Sequence, residues 1–118
     1  MKKIFYILIV IIPLASIAQK QGNVWYFGIQ SGLSFSTGTP VVLSNGQTGT
    51  DIGADNQEGT ACISDSAGNI LFYTGGKTIW NRNNIPMPNG TGIMGGVSST
   101  QSSIIVPLPG SDSIFYVF

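Results

Sequence analysis

The stretch from Gly59 to Arg82 constrains the fold of this chain more than any other. It alternates runs rich in β-branched and aromatic residues with clusters of Gly, Ser, Asn and Asp, which is the pattern of short strands joined by tight turns. The pattern predicts an antiparallel β-meander. Its three predicted strands are residues 60–64, 70–74 and 78–81.

The first turn of this meander has the composition of a five-residue hairpin loop. Asp65 can accept a hydrogen bond from the backbone two residues on, and either Gly68 or Asn69 can take the positive φ that closes the turn. The strand that follows, residues 70–73, is apolar on both of its faces. We therefore expect other layers of the protein to cover the meander on both sides.

The rest of the chain after Gln19 has no helical periodicity, and turn-forming residues recur about every ten positions. Asn45-Gly46, which follows the predicted strand at residues 41–43, is a strong hairpin signal. Residues 83–96 hold several turn formers and predict one short strand at most. An all-β fold follows, of the sandwich, barrel or propeller kind. The further predicted strands are residues 23–28, 33–36, 41–43, 102–108 and 114–118.

The first 18 residues have the pattern of a secretory signal peptide. Two lysines precede an apolar run with Pro13 after it, and small residues lead to a predicted cleavage site between Ala18 and Gln19. The alternative is a membrane anchor, but the run is shorter than the roughly 20 residues that a spanning helix needs. We expect residues 1–18 to be removed and residues 19–118 to form a secreted domain that no longer contacts the membrane.

The charges of the predicted mature chain are few and scattered. Three cationic and five acidic side chains remain after residue 18, which gives a net charge of −2. Nucleic-acid binding requires clusters of Lys and Arg that neutralise phosphates, and no such cluster is present. Low charge with abundant Gly, Ser, Thr and Asn is typical of an extracellular β-protein.

The chain contains no histidine and a single cysteine, Cys62. An internal disulfide, a Ser-His-Asp triad and a Cys-His pair are therefore excluded within it. Cys62 lies in a predicted strand, where a buried small apolar side chain is expected rather than a reactive thiol.

The long predicted loop over residues 47–58 carries three carboxylates, Asp51, Asp55 and Glu58. They could bind calcium, which takes carboxylate and backbone oxygens, although their spacing is not that of an EF-hand. They could also act as a catalytic pair in glycoside hydrolysis. Carboxylates this close together in a loop are more often solvated, so no cofactor is expected and calcium is the alternative.

Aromatic residues are the other candidates for ligand binding, because their rings can stack on sugars. Most of them lie in predicted strands with apolar neighbours, where core packing is expected instead. Trp80, at a strand end beside Asn81 and Arg82, is the candidate ligand-binding residue. The aromatic set considered is Trp25, Tyr26, Phe72, Tyr73, Trp80 and Tyr116.

Residues 114–118 are five consecutive apolar residues in a predicted strand at the end of the sequence. An uncapped apolar strand edge of this kind would promote aggregation. We expect the sequence to be a fragment of a longer chain or the product of a prematurely ended reading frame.

Several stretches of aromatic and turn-forming residues, spread over nearly all of the chain after residue 19, carry a family resemblance. They are 21–28, 32–35, 38–40, 58–61, 63–65, 68–74, 80–82, 88–92, 99–102, 104–107 and 109–111. Together they resemble the N-terminal WD40-like β-propeller region of large secreted proteins of gliding-type Gram-negative bacteria. Such proteins usually continue into immunoglobulin-like modules and a type IX secretion sorting domain.

The resemblance implies one to two blades of a β-propeller, built from antiparallel meanders, with the remaining blades in a longer chain. It brings no catalytic residue with it. The function that it implies is a secreted, non-enzymatic platform for binding or adhesion at the cell surface, with an extracellular polysaccharide or a surface protein as partner. The alternatives are the scaffold of an extracellular carbohydrate-active hydrolase and a truncated product without function.

Overall fold

A computed structural model of the protein describes residues 20–48, 59–96 and 99–118. These residues form nine β-strands and one single-turn 3-10 helix, and every paired strand is antiparallel, so the predicted all-β class is confirmed. The helix is Lys20–Gly22, and the strands are β1 (Val24–Tyr26), β2 (Gly32–Ser34), β3 (Val41–Leu43), β4 (Ala61–Ser64), β5 (Ile70–Thr74), β6 (Thr78–Asn81), β7 (Pro86–Thr91), β8 (Ile105–Pro107) and β9 (Phe115–Val117).

The strands form three sheets, and each sheet is a meander of consecutive strands. The first sheet has the order β1-β2-β3, the second β4-β5-β6-β7 and the third β8-β9. The second sheet contains the predicted meander and adds β7 to it. Short strands joined by tight turns pair with their neighbours in sequence, and this gives the simplest antiparallel topology.

The hairpin between β4 and β5 forms as its sequence predicts. One carboxylate oxygen of Asp65 accepts hydrogen bonds from the backbone N–H groups of Ala67 and Asn69, both at 2.9 Å. Gly68 takes the positive φ, +93°. Hydrogen bonds from Asn69 and from the turn backbone stabilise the carboxylate, so the pKa of Asp65 lies below its usual value.

Strand β5 is covered on both of its faces, as its two-sided apolar sequence predicts. Tyr73 is completely buried, and its ring lies 4.4 Å from the ring of Tyr26 in the first sheet. Phe72, the neighbouring residue, points to the opposite face and meets Phe115 of the third sheet edge-on at 5.3 Å. The second sheet is thus the middle layer of three.

The hydroxyl of Tyr73 links the first and second layers, and the hydroxyl of Tyr26 is bonded within the first layer. The Tyr73 hydroxyl donates to Oδ1 of Asn84 at 2.7 Å and accepts from the backbone N–H of Gln47 at 3.1 Å. The hydroxyl of Tyr26 donates to Oδ1 of Asn45, also at 3.1 Å. Both buried tyrosines therefore have the polar partners that burial of a phenol requires.

The prediction of a β-hairpin at Asn45-Gly46 is wrong. Strand β3 pairs with β2, and the next strand of the described residues, β4, belongs to the second sheet. The backbone of Gly46 instead packs closely against the ring of Tyr26, and a Cβ atom at this position would lie 2.8 Å from a ring carbon. The glycine is needed for close packing, and the asparagine for its bond to the tyrosine.

Strand β7 is longer than the short strand expected in residues 83–96. It runs for six residues, although Pro86 and Pro88 lie in it. It pairs with β6 only near its two ends and bulges between them, with a positive φ at Asn89. Proline is tolerated because β7 is an edge strand, whose outer N–H groups need no ladder partner.

The first strands of the three sheets, β1, β4 and β8, lie near one another and are linked by side chains. Oγ1 of Thr60 donates to the carbonyl of Tyr26, and Sγ of Cys62 donates to that of Val24 at 3.1 Å. The residue numbers rise from Thr60 to Cys62 while those of their partners fall from Tyr26 to Val24. Strands β1 and β4 therefore run in opposite directions. Oγ of Ser102, before β8, lies within hydrogen-bond distance of the carbonyl oxygens of Gly59 and Gly75, and its single proton is available to either of them.

Replacing Tyr73 by Phe tests the importance of the hydroxyl bridge between the first two layers. The substitution keeps the ring but removes the hydroxyl that bonds to partly buried groups of Asn84 and Gln47. We expect the free energy of unfolding to fall by about 1–3 kcal/mol, measured by denaturant titration. Tyr116→Phe, at a half-exposed ring on the third sheet, is the control and should change it by less than about 0.5 kcal/mol. Equal effects of the two substitutions would contradict the bridge.

Candidate functional site

A groove of about 530 Å³ lies where the edge strands β1, β4 and β8 approach one another. All three strands are the outermost members of their sheets on this side, so the groove exposes backbone edges as well as side chains. We call it the edge groove. Its lining is Trp25, Tyr26, Phe27, Gly59, Thr60, Ala61, Cys62, Thr100, Gln101, Ser103, Ile104 and Ile105.

One wall of the edge groove is aromatic. Trp25, in β1, is 48% exposed, and Phe27, which directly follows β1, is 42% exposed. The indole N–H of Trp25 donates to the carbonyl of Gly22 at 2.6 Å, and its ring meets Phe35 edge-on at 5.4 Å. The exposed tryptophan is thereby held in one orientation, which lowers the entropic cost of binding a ligand.

The backbone of Phe27 is also fixed from two sides. Its N–H donates to the carbonyl of Ser31 at 2.7 Å, and its carbonyl accepts from Oγ1 of Thr48, which is fully buried, at 2.8 Å. The aromatic wall is therefore carried by rigid backbone rather than by a free loop end.

The opposite wall is polar and contains an unsatisfied hydroxyl. Ser103 is only 9% exposed, and its Oγ has no hydrogen-bond partner among the described residues. Thr100 and Gln101 lie on the same segment and add a hydroxyl and an amide. A buried hydroxyl without a partner costs about 1–3 kcal/mol. Because the Ser103 oxygen is itself buried, the exposed side chains of Thr100 and Gln101 are the polar groups on this segment that a ligand in the groove would contact.

Cys62 lies on the floor of the edge groove as a half-buried thiol. Its Sγ donates to the carbonyl of Val24, and burial raises the pKa of the thiol above its usual value. Less thiolate is present at neutral pH than on a free cysteine. This agrees with the expectation of a packed, unreactive side chain.

The structure places Trp80 away from the edge groove. It lies on β6 opposite Tyr73, is half-buried, and packs against the cluster of Val24, Tyr26 and Tyr73. Oδ1 of the next residue, Asn81, accepts from the backbone of the β6–β7 turn. Arg82, in that turn, is exposed and lines a different cavity.

The other aromatic residues considered for sugar stacking divide into two groups. Tyr26, Phe72 and Tyr73 are buried between layers, where core packing was expected for them. Trp25 and Tyr116 are each 48% exposed, on the first and the third sheet. Of these two only Trp25 lines the edge groove.

The remaining predicted site residues lie outside the described part of the chain. They are the calcium candidates Asp51, Asp55 and Glu58 and the cleavage-site residues Ala18 and Gln19. Within residues 20–48, 59–96 and 99–118, no three His, Cys, Asp or Glu side chains come together as a metal site would require. In the same residues, no helix has the length and apolar character needed to cross a membrane.

Comparisons of the chain with protein-family models, with curated proteins and with solved structures found no significant match. The candidate site therefore depends on geometry alone. Sequence reasoning missed the edge groove because Trp25 and Ser103 are far apart in the chain and no motif joins them. The only sequence signal was the presence of Trp25 among the aromatic residues.

The state of Cys62 can be tested by thiol modification. Because its pKa is raised, the thiolate fraction is small at neutral pH, and the groove floor restricts access. We expect a disulfide reagent at pH 7.5 to react at least about ten-fold more slowly with the folded protein than with protein in guanidinium chloride. Raising the pH should speed the reaction of the folded protein. Equal rates in both states would contradict the burial described here.

Proposed function

We propose that the chain is a secreted, non-enzymatic binding module at the cell surface, built as part of a β-propeller. It holds an extracellular polysaccharide or a surface protein in the edge groove. The observation that carries this proposal is the groove itself, which is lined by a fixed, exposed Trp25 and by the exposed polar side chains of Thr100 and Gln101. Apolar surface with a few convergent polar groups is the usual composition of a binding site.

The second sheet supports the propeller part of the proposal. It is a four-stranded antiparallel meander covered on both faces by other sheets, as a blade is between its neighbours. The next sheet begins at Ile105, 44 residues after Ala61, and WD40-type blades repeat every 40–45 residues or so. Ser102 bonds the start of β8 to the start of β4, which keeps the two first strands side by side.

The first sheet departs from a regular repeat of this unit. Its first strand, β1, runs opposite to β4, whereas repeated blades would present these strands in the same direction. The first sheet therefore acts as a cover for the second sheet and as the aromatic wall of the groove, and the blade-like repeat is carried by the second and third sheets.

The lining of the edge groove supports binding rather than catalysis. Its described residues offer hydroxyl, amide and backbone groups beside aromatic rings, which is the chemistry that recognises sugar hydroxyls or an extended peptide. The raised pKa of Cys62 and the absence of histidine from the chain leave no activated nucleophile there.

Trp25→Ala tests the edge groove as the binding site. With polysaccharide isolated from the producing cells as the probe, we expect affinity to fall about ten-fold or more, because stacking on an exposed indole contributes 1–2 kcal/mol or so. Tyr116→Ala is the matched control, since this ring is equally exposed but lies elsewhere, and it should leave binding unchanged. Trp80→Ala reports separately on the sequence-based candidate.

The same assay separates the platform from the hydrolase alternative. Reducing ends are measured in the mixture of protein and polysaccharide over several hours. Binding without any release of reducing ends supports the platform. A release that grows with protein concentration would contradict the non-enzymatic proposal, and binding that survives Trp25→Ala would remove the edge groove from it.

Secretion is tested by the intact mass of the protein from medium, envelope and cytoplasmic fractions of the producing cells. We expect a species that begins at Gln19 in the medium or the envelope, because the pattern of residues 1–18 is that of a cleaved signal peptide. A product that keeps Met1 and stays in the cytoplasm would overturn this part of the proposal.

A further inference from the structure

We propose that a second groove, on the flank of the first and second sheets, binds a saccharide that carries a carboxylate, such as a uronic acid unit. The groove has a volume of about 420 Å³, and we call it the lateral groove. The inference rests on the proposed function only in that the ligand is extracellular. Its lining is Val24, Tyr26, Ser34, Ser36, Leu43, Asn45, Gly68, Asn69, Ile70, Arg82 and Asn83.

The lateral groove has an apolar floor and a polar rim. Val24 and Tyr26, both nearly fully buried, form the floor together with Leu43 and Ile70. The rim consists of hydroxyl and amide side chains, with one guanidinium. This distribution matches a sugar ring, whose apolar face contacts the floor while its hydroxyls meet the rim.

Arg82 supplies the charge that selects an acidic ligand. It is exposed in the β6–β7 turn and is the single charged residue in the described lining of the lateral groove. Asp65, the carboxylate of the β4–β5 hairpin, accepts hydrogen bonds from Ala67 and from both the backbone and the side chain of Asn69, and it is not part of the described lining of the lateral groove. A guanidinium binds a carboxylate through two parallel hydrogen bonds, which gives strength and direction.

Two amides beside Arg82 supply neutral donors. Oδ1 of Asn45 accepts from the Tyr26 hydroxyl at 3.1 Å, and this orients the Asn45 NH₂ group away from the tyrosine. Asn83 follows Arg82 in the turn, and its backbone N–H is held by Oδ1 of Asn81 at 2.9 Å. Asn45 and Arg82 come from different sheets, so the donors converge only in the folded protein.

The two sheets that carry these donors are fixed relative to one another. Oγ of Ser34 donates to Oγ of Ser36 at 3.2 Å, which donates in turn to the carbonyl of Gly68 at 3.3 Å. This chain crosses from the first sheet to the β4–β5 hairpin at one border of the groove. Donors held in place before binding lose little entropy when the ligand arrives.

A saccharide fits this arrangement better than an acidic peptide. The groove lies across the gap between two sheets instead of along a free strand edge, so it offers no ladder of backbone groups for an extended peptide. Its donors are one charged group and two amides around a short apolar floor. One carboxylate and adjacent hydroxyls satisfy them, whereas a run of acidic side chains would leave charge beyond the reach of Arg82.

The proposal is tested by calorimetric titration of the full chain with tetragalacturonate and, as a neutral match, with a galactose tetrasaccharide. We expect the acidic ligand to bind at least about ten-fold more tightly, and Arg82→Gln to abolish that difference. Arg82→Lys should restore only part of it, because lysine keeps the charge but lacks the planar fork. Raising the salt concentration should weaken the acidic ligand selectively.

Lys77→Gln is the matched control, because it removes one positive charge from the β5–β6 turn, outside the described lining of the lateral groove. It should leave binding of tetragalacturonate unchanged, and so should Tyr116→Ala, because Tyr116 lies in the described lining of neither groove. Circular dichroism spectra confirm that each variant is folded. The proposals for the edge groove and for the lateral groove can then be contradicted independently.

Three results would overturn the proposal. The first is equal affinity for the acidic and the neutral tetrasaccharide, and the second is an acidic affinity that Arg82→Gln does not change. The third is equally tight binding of tetraglutamate, which would replace the saccharide by an acidic peptide.

Discussion

The fold of the described residues depends on the complete burial of Tyr73 between layers. Its ring packs on Tyr26 of the first sheet, while its neighbour Phe72 packs on Phe115 of the third, so two adjacent residues of one strand hold three sheets together. The hydroxyl of Tyr73 bonds to Asn84 and Gln47, which fixes the turn of one layer against a segment of another. Both grooves lie at the edges of this interlayer packing, because the lining of each comes from more than one sheet.

Much of this architecture could be predicted from local sequence. The hairpin at Asp65 and Gly68 forms because its hydrogen bonds and its positive φ involve only neighbouring residues. Two-sided cover of β5 follows from its composition, because an apolar strand must be buried on both faces. The Asn45-Gly46 prediction was wrong because tertiary contacts with Tyr26 decided the conformation. The grooves could not be predicted, since the residues that line them meet only when separate sheets pack.

The two candidate binding sites lie in the gaps between sheets, and the residues there differ in character. The edge groove combines an exposed indole, Trp25, with neutral polar groups and the buried hydroxyl of Ser103. The lateral groove sets Arg82 among amides and hydroxyls over an apolar floor. The sequence-based candidate, Trp80, packs against the core and belongs to the described lining of neither groove. A protein with few charges can still offer two chemically distinct surfaces in this way.

The first strands of the three sheets are joined by side chains rather than by a backbone ladder. The bonds come from Thr60, Cys62 and Ser102, and each ends on a carbonyl of a neighbouring layer. Within a sheet, shear along the strands must break a whole row of hydrogen bonds at once, whereas along this seam it is resisted by a few isolated ones. Hydrogen bonding alone therefore resists shear less along the boundary between these first strands than within each sheet. A shearing force along this boundary would load these isolated bonds before the hydrogen-bond ladders within the sheets.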